Sequence, residues 1–409
     1  MTSSRSGLSV FRHRDFRRYF LSRFFATFAL QVVSVAVGWQ VYDLTGDALA
    51  LGLIGLVQFL PALCLFLVTG AVADRYSRRL IVGVCAIVGM ACALSLVVLA
   101  VPGWFMLWVT YAVLLIFGVM RAFLNPALQS LAPNLVPSED LASAIAWTSS
   151  STKTAQIVGP VAGGLLYALG AYMPYSVAAA FFAFASLMVF AIAKPAPRVN
   201  SSAPNWSSIT AGFRYILSER ILLGAISLDL FAVLLGGAVA LMPIFARDVL
   251  DLGPSALGLL RGAPAIGAIA TAVILAMHPI QAHAGLWMYA GVVIFGLMTI
   301  LFGLSTAPWL SIAALVVMGA ADMISVYVRS SLIALWTPDE LRGRVNAVNQ
   351  VFIGASNELG AFRAGSMAAA IGAVPAVLVG GIGTFVVAVS WMCLFPKLRR
   401  VSSLAAQVR

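Results

Sequence analysis

The chain has little charge. Asp, Glu, Lys and Arg make up only 10% of its 409 residues, whereas about a quarter of the residues of a soluble domain are charged. Apolar residues make up 62%, and the mean hydropathy is +1.00. Since so few polar residues are available to cover a water-exposed surface, the composition predicts a protein that lies in a lipid bilayer.

Residues that carry common catalytic chemistry are also scarce. None of the three lysines follows a glycine, so the sequence has no phosphate-binding loop for ATP hydrolysis. It has no Gly-x-Ser-x-Gly nucleophile motif either. The four cysteines lie inside apolar runs, without the spacing of a disulfide framework or a metal site. We therefore predict that the chain is not an enzyme and holds neither a metal nor a cofactor.

Long apolar stretches dominate what is present. A helix of roughly 20 residues crosses the hydrocarbon core of a bilayer, and about twelve stretches of this length occur. They lie near 20–42, 49–72, 80–101, 105–127, 142–168, 172–193, 221–246, 256–277, 285–304, 307–333, 344–371 and 374–395. The sequence thus predicts an all-α membrane protein with twelve transmembrane helices.

Positive charge indicates the orientation of these spans. If the N-terminus is cytoplasmic, 18 Lys and Arg residues fall in the termini and the inner loops, against Arg247 alone in the outer loops. This bias follows the positive-inside rule and predicts a multi-pass membrane protein with both termini in the cytoplasm. The basic residues then face anionic lipid headgroups, so we expect membrane lipids and no nucleic acid as partners.

The sequence repeats itself. "VPSEDLASAIAW" near the fifth span is followed 201 residues later by "TPDELRGRVNAV", and "FRRYFLSR" has an echo in "FRYILSER". This predicts two pseudo-symmetric six-helix bundles, residues 1–193 and 221–409, joined by a cytoplasmic linker over 194–220 with a short amphipathic helix. Two parallel repeats with a site between them are typical of a secondary transporter.

The loop between the second and third spans concentrates charge between apolar runs. It contains Gly70, Asp74, Arg75, Arg78 and Arg79. It resembles the signature loop of the major facilitator superfamily, a likeness that covers the whole chain. "DELRGRVNAV" and "FRRYFLSRF" resemble the bacterial branch that contains the enterobactin exporter and macrolide efflux proteins.

The resemblance implies a gate at this loop. In such transporters the loop latches the first half to the start of the eleventh span, where Arg342 and Arg344 stand here. Asp74 is then the latch. A cluster of charges that only fixes the topology is the alternative.

A second motif, Gly159, Pro160, Gly163 and Gly164 in the fifth span, resembles a glycine motif of exporters. A proline removes a helical hydrogen bond and bends the helix, while glycines admit a neighbouring backbone. The motif favours export, and plain helix packing is the alternative.

Ionisable residues inside the spans point to the transport chemistry, because they are costly in lipid and usually face a pathway or a partner. Proton coupling needs a carboxyl group whose pKa depends on its hydration. Asp229 and Glu358 are the first candidates, followed by Asp322, which Arg329 is expected to neutralise. Arg121 stands 201 residues before Asp322, so this pair of opposite charges is expected to face one cavity.

Polar residues recur at helical spacing in two spans that correspond in the repeat. They are Ser149, Thr152, Lys153 and Gln156 in the fifth span, and Asn346, Asn349, Gln350, Asn357 and Glu358 in the eleventh. Each set lies mostly on one helical face, and a water-filled substrate cavity explains both sets better than contact with lipid does. A static ion pair between Lys153 and Glu358 is the alternative.

We therefore predict a proton-coupled antiporter, a monomer that exports small organic molecules of a drug-like or siderophore-like kind. A flippase for lipids or lysolipids with the same fold remains open. So does a membrane sensor that does not transport.

Overall fold

The structure is a computed structural model that describes residues 9–132, 135–193 and 206–402. Helices make up almost all of it, and no strand occurs in these ranges. The part before residue 194 contains six long helices. They are α1 (Arg14–Thr45), α2 (Ala48–Arg75), α3 (Arg78–Leu99), α4 (Leu107–Leu131), α5 (Leu141–Leu169) and α6 (Met173–Phe190).

The part after residue 205 contains nine further helices. They are α7 (Trp206–Ser218), α8 (Arg220–Gly236), α9 (Ala238–Ile244), α10 (Pro254–Met277), α11 (Ala284–Leu304), α12 (Pro308–Trp336), α13 (Asp339–Ile371), α14 (Ala373–Leu394) and α15 (Pro396–Arg399). Proline occupies one of the first positions of α10, α12 and α15, where its missing N–H leaves no helical hydrogen bond unmade.

Ten helical segments of the described residues are long and apolar enough to cross a membrane. Helices α8 and α9 count as one of them, together with the π-helical turn Phe245–Val249. Two more of the twelve predicted spans form helices of sufficient length, since α5 has 29 residues and α13 has 33. Both fall outside the ten because polar and charged residues lower their mean hydropathy. The chain is thus a multi-pass membrane protein.

The chain divides into two compact units. The first unit comprises Met1–Gln40 and Leu60–Ala203, and the second comprises Val41–Phe59 and Pro204–Arg409. The end of α1 and the start of α2 therefore pack with the second unit, although they belong to the first half of the repeat. The predicted division into 1–193, 194–220 and 221–409 follows the chain rather than these contacts, and it stays a prediction. Helix α7 is the short helix within the predicted linker.

Corresponding helices make corresponding contacts within each unit. Helix α3 packs against α4 and α6 in the first unit, and α11 packs against α12 and α14 in the second. A Cβ atom added at Gly159 of α5 would lie 2.6 Å from Cβ of Gln31 in α1. One added at Gly360 of α13 would lie 3.0 Å from the carbonyl oxygen of Val233 in α8. Glycine thus permits the same close helix approach in both units, which supports the predicted repeat.

The helix of the predicted seventh span is interrupted at Gly237. A Cβ atom there would lie 2.7 Å from the carbonyl oxygen of Gly360, so glycine lets the break rest on α13. The end of α8 leaves carbonyl groups without helical partners. Arg363 of α13 donates hydrogen bonds to two of them. Its Nε lies 3.0 Å from the carbonyl oxygen of Leu234, and its Nη2 donates a hydrogen bond to the carbonyl oxygen of Leu235. This cation also complements the negative end of the helix dipole.

Candidate transport site

The most deeply buried charges of the second unit form an ion pair between Asp229 of α8 and Arg329 of α12. Nη1 of Arg329 binds Oδ2 of Asp229, and the side chains are 7% and 5% exposed for Asp229 and Arg329, respectively. Ser325 donates a longer hydrogen bond of 3.4 Å to the other oxygen of Asp229. The sequence placed Arg329 beside Asp322, and the structure shows that it binds Asp229.

A small cavity lies next to this ion pair, with room for about one water molecule. Helices α8, α11 and α12 line it, and the polar groups of its wall are Asp229, Asp322 and Ser325. Asp322, Ser325 and Arg329 stand three to four residues apart on α12, which places them on one face of the helix. The structure therefore brings together two of the predicted coupling residues, Asp229 and Asp322.

The cluster combines acidic and basic groups inside one unit. Asp229 and Asp322 place two carboxyl groups at the cavity, and Arg329 places a guanidinium beside Asp229. Asp229 and Arg329 are buried, and Asp322 is half-buried. Ionisable residues inside membrane spans usually mark a pathway or a binding site, so the cluster is a candidate for proton transfer.

Glu358, the other leading candidate, belongs to a different part of the second unit. Its carboxylate lies against Gly55 of α2, where an added Cβ atom would be 3.0 Å from Oε2. Arg261 of α10 is close enough to attract the charge of Glu358. Glu358 therefore has a basic neighbour within its own unit, and it does not line the cavity beside Asp229.

The polar residues of α13 divide by exposure. Asn346, Gln350 and Asn357 are exposed and lie within about 40° of one another around the helix. Asn349 is on one flank and is only 7% exposed. Nδ2 of Asn357 donates a hydrogen bond of 2.8 Å to the carbonyl oxygen of Ile353 within the same helix. Since lipid would leave exposed amides without partners, the three exposed residues indicate a hydrated helix face.

The polar face of α5 is equally compact. Ser149 and Lys153 are exposed, and Thr152 and Gln156 are half-buried. Arg23 of α1 donates hydrogen bonds to Oγ1 of Thr152, at 3.2 Å, and to the hydroxyl of Tyr19, at 2.9 Å. Sequence reasoning missed Arg23 because it stands at the edge of the first span. Its place in the repeated "FRRYFLSR" segment was the available signal.

The charged loop between α2 and α3 has one well-defined contact. Nη2 of Arg79 donates to the carbonyl oxygen of Phe190 at the end of α6, so this basic residue caps a helix of its own unit. Arg75 is exposed at the end of α2, and Arg78 begins α3. Gly70 and Asp74 belong to the last turns of α2, and their side-chain surroundings are not among the features that the structure describes. The Asp74 latch therefore stays a prediction.

The partners predicted for that latch lie in the first turns of α13. Arg342 forms an ion pair of 2.5 Å with Asp339, one turn earlier, and Arg344 is exposed. Backbone atoms of Arg344 lie 2.8 Å from the position of a Cβ atom at Gly212, so glycine lets α7 approach the start of α13. Arg121 lies half-buried in α4 of the first unit, and its pairing with Asp322 is likewise still a prediction.

The glycine motif of α5 is a helix contact. Gly159 and Gly163 are buried and face α1, and a Cβ atom at Gly163 would lie 3.0 Å from the carbonyl oxygen of Val32. Gly164 is also buried, and Pro160 stands inside a helix that continues from Leu141 to Leu169. The packing interpretation of the motif is thus observed, and a role in export stays a prediction.

The family of the protein is decided by a comparison with protein-family models. The model described as "Transmembrane secretion effector" matches residues 5–408. The chain belongs to this family of the major facilitator superfamily. The predicted superfamily and the prediction that the chain is not an enzyme are therefore confirmed.

Curated relatives of this secretion effector are exporters. The enterobactin exporter EntS of Citrobacter koseri is 27% identical over 395 residues, which cover 95% of this chain and 93% of that protein. The enterobactin exporter EntS of Escherichia coli O157:H7 is 27% identical over 403 residues, which cover 97% of this chain and 95% of that protein. The likeness therefore spans nearly the full length of both proteins and supports a role in membrane transport and efflux.

Solved structures show the same fold. A bacterial homologue of the human lysosomal transporter Spinster, in an inward-facing and occupied conformation, has a TM-score of 0.76 and 14% identity, covering 94% of this chain and 96% of that one. The nucleoside transporter NupG has a TM-score of 0.68 and 15% identity, covering 93% and 99%. At such low identity these likenesses concern the fold of the secretion effector alone.

Proposed function

We propose that this secretion effector is a proton-coupled antiporter that exports a small organic molecule by alternating access. On this proposal it crosses the bacterial inner membrane twelve times, in two six-helix halves, with both termini in the cytoplasm. The observation that carries the coupling is the cluster of two carboxyl groups and one guanidinium at Asp229, Asp322 and Arg329, of which Asp229 and Arg329 are buried and Asp322 is half-buried.

The cluster has the chemistry that coupling requires. Arg329 holds Asp229 as an ion pair, while Asp322 shares the cavity wall with it. A carboxyl group holds its proton more firmly when it is desolvated and releases it more readily when water enters. Hydration of the cavity during transport would therefore change the proton occupancy of the carboxyl groups that line it.

Substrate chemistry follows from the exposed polar faces and from the relatives. Asn346, Gln350 and Asn357 on α13 offer amide donors and acceptors, and Ser149 and Lys153 on α5 offer a hydroxyl and a cation. These groups suit a polar, oxygen-rich small molecule. Enterobactin, named for the curated relatives, is accordingly the first substrate to test, and the class we propose is siderophore-like or drug-like compounds.

The decisive experiment uses proteoliposomes with an acidic lumen and enterobactin outside. In an antiporter, protons leaving the lumen drive enterobactin inward. Asp229→Asn, Asp322→Asn and Glu358→Gln each remove one candidate carboxylate, and Asp251→Asn changes an exposed aspartate in a loop. We expect Asp229→Asn and Asp322→Asn to lower gradient-driven accumulation by about tenfold or more, which corresponds to about 1.4 kcal/mol of coupling free energy.

Exchange of labelled for unlabelled enterobactin without a gradient separates coupling from binding. We expect Asp322→Asn to retain this exchange, because a neutral side chain mimics the protonated carboxyl group. The Asp251→Asn variant should match the parent protein in both assays. Accumulation that is unchanged in all three carboxylate variants would refute the proposed coupling residues.

A further inference from the structure

The turn between α1 and α2 is joined to the end of α9 by a compact set of polar contacts within the second unit. The hydroxyl of Tyr42 donates to Oδ2 of Asp248. Nη1 of Arg247 donates to the carbonyl oxygens of Tyr42 and Asp43, at 3.2 Å each. Arg247 and Asp248 belong to the π-helical turn Phe245–Val249, a local geometry that is frequent at functional positions.

Charge reinforces these hydrogen bonds. Nη1 of Arg247 lies 3.5 Å from Oδ1 of Asp43, and the guanidinium carbon lies 5.7 Å from the centre of the Tyr42 ring. The second distance is within the range of a cation–π interaction. The side chains of Arg247 and Asp43 are 41% and 40% exposed. Water therefore reaches the pair, so that it can break and form again at little cost.

A second contact fixes the same segment at the level of the helix backbones. A Cβ atom added at Gly52 of α2 would lie 3.1 Å from Cα of Gly365 in α13, and one added at Gly365 would lie 2.6 Å from Cα of Gly52. Two glycines thus allow the backbones to touch. Residues Val41–Phe59 are therefore held by charge at the turn and by close packing beyond it.

The topology predicted from the sequence places this cluster on the outer side of the membrane. Arg247 is the only basic residue that the predicted topology assigns to the outer loops. A lone cation outside is not explained by the positive-inside rule, which places basic residues in the cytoplasm. The contacts with Tyr42 and Asp43 explain why a cation is present there.

We propose that Tyr42, Asp43, Arg247 and Asp248 form an outer latch, which holds the α1–α2 turn on α9 while the outer side of the transporter is closed. Arg247 is its central positioning residue. The latch rests on the proposed alternating access, because opening to the outside requires these contacts to break. Helices α1 and α2 continue from the first unit into the second, so the latch acts on helices that belong to both units.

The latch can be tested in the full-length protein with variants that reverse the charge of Arg247 or of Asp43, and with a double variant that exchanges the two charges. The reporter is Ala50→Cys, since Ala50 of α2 is only 1% exposed. The exposed Cys64 and Cys393 are changed to serine in all variants. A membrane-impermeant maleimide is added outside right-side-out vesicles, and the rate of labelling at position 50 is measured.

Arg247→Asp and Asp43→Arg each place like charges in contact. We expect each single variant to raise the labelling rate by roughly two- to fivefold, the change in an equilibrium that an exposed ion pair of up to about 1 kcal/mol produces. The double variant with both changes restores the attraction and should return the rate to that of the parent. Lys397→Glu reverses an exposed charge in the last helix and should leave the rate unchanged.

Two results would overturn the latch. One is a labelling rate that neither single variant raises. The other is a rate that stays raised in the double variant, because damage to the fold rather than lost attraction would then explain the effect. The labelling needs neither substrate nor a pH gradient. The parent protein could therefore show no proton-coupled transport of enterobactin while the single variants still raise the labelling rate and the double variant restores it. This combination would contradict the proposed function and would still support the latch.

Discussion

At the scale of single residues, the ion pair of Asp229 and Arg329 is the feature with the largest energetic consequence. Both side chains are more than nine-tenths buried, and a buried charge that loses its partner is costly. A pair of this kind adds little net stability compared with apolar residues of the same volume. The presence of this pair in the second unit therefore fits a role in transport better than a role in folding.

The stability of three variants tests this reasoning. Arg329→Met leaves the Asp229 carboxylate buried without its partner, so we expect the free energy of unfolding to fall by about 3–5 kcal/mol. The double variant Asp229→Leu with Arg329→Met should recover most of that loss. Lys397→Met, at an exposed position, should change it by less than about 0.5 kcal/mol.

Melting temperatures of the purified variants in detergent, followed by tryptophan fluorescence, provide the measurement. Equal melting temperatures for Arg329→Met and Lys397→Met would contradict a buried ion pair between Asp229 and Arg329.

At the scale of helices, glycine decides how closely the elements approach. Gly159 meets Gln31 of α1, and Gly360 meets the carbonyl groups of α8. By contrast, Gly343 in the exposed first turns of α13 has nothing within 4 Å of an added Cβ atom. The same substitution should therefore have opposite effects at Gly159 and Gly343.

Gly159→Ala should lower the free energy of unfolding by about 1–3 kcal/mol, because its Cβ atom enters a filled contact. Gly343→Ala should raise it by about 0.5–1 kcal/mol, because alanine loses less backbone entropy in a helix. Thermal unfolding of both variants beside the parent protein measures the difference. Stabilisation by both substitutions would show that α1 and α5 are not in close contact at Gly159.

The helices also show how far sequence reasoning reaches. Hydropathy identifies the ten apolar spans because lipid requires apolar residues along the whole length of a helix. The apolar stretches 142–168 and 344–371 also predicted spans at α5 and α13, although polar and charged residues lower the mean hydropathy of these two helices. The break at Gly237 was not predicted, although the pair Gly236 and Gly237 inside the apolar run was a signal for it, since consecutive glycines favour a turn or a kink.

At the scale of the whole molecule, the sequence predicted the superfamily and a transport role, and the comparisons confirm the superfamily and support the role. It could not predict which charged residues meet. Asp229 and Arg329 are 100 positions apart, and Tyr42 and Asp248 are 206 apart. Their contacts depend on the rotation and packing of whole helices, which composition and spacing leave open.

On the proposed mechanism, proton transfer through the cluster of Asp229, Asp322 and Arg329 drives the export of the substrate. The most direct measurement is the pH inside proteoliposomes of the parent protein, reported by a trapped fluorescent dye, when enterobactin is added outside without an imposed gradient. The account predicts that the lumen becomes alkaline as enterobactin enters, because each uptake event releases a proton. Uptake of enterobactin with no change in luminal pH would contradict it.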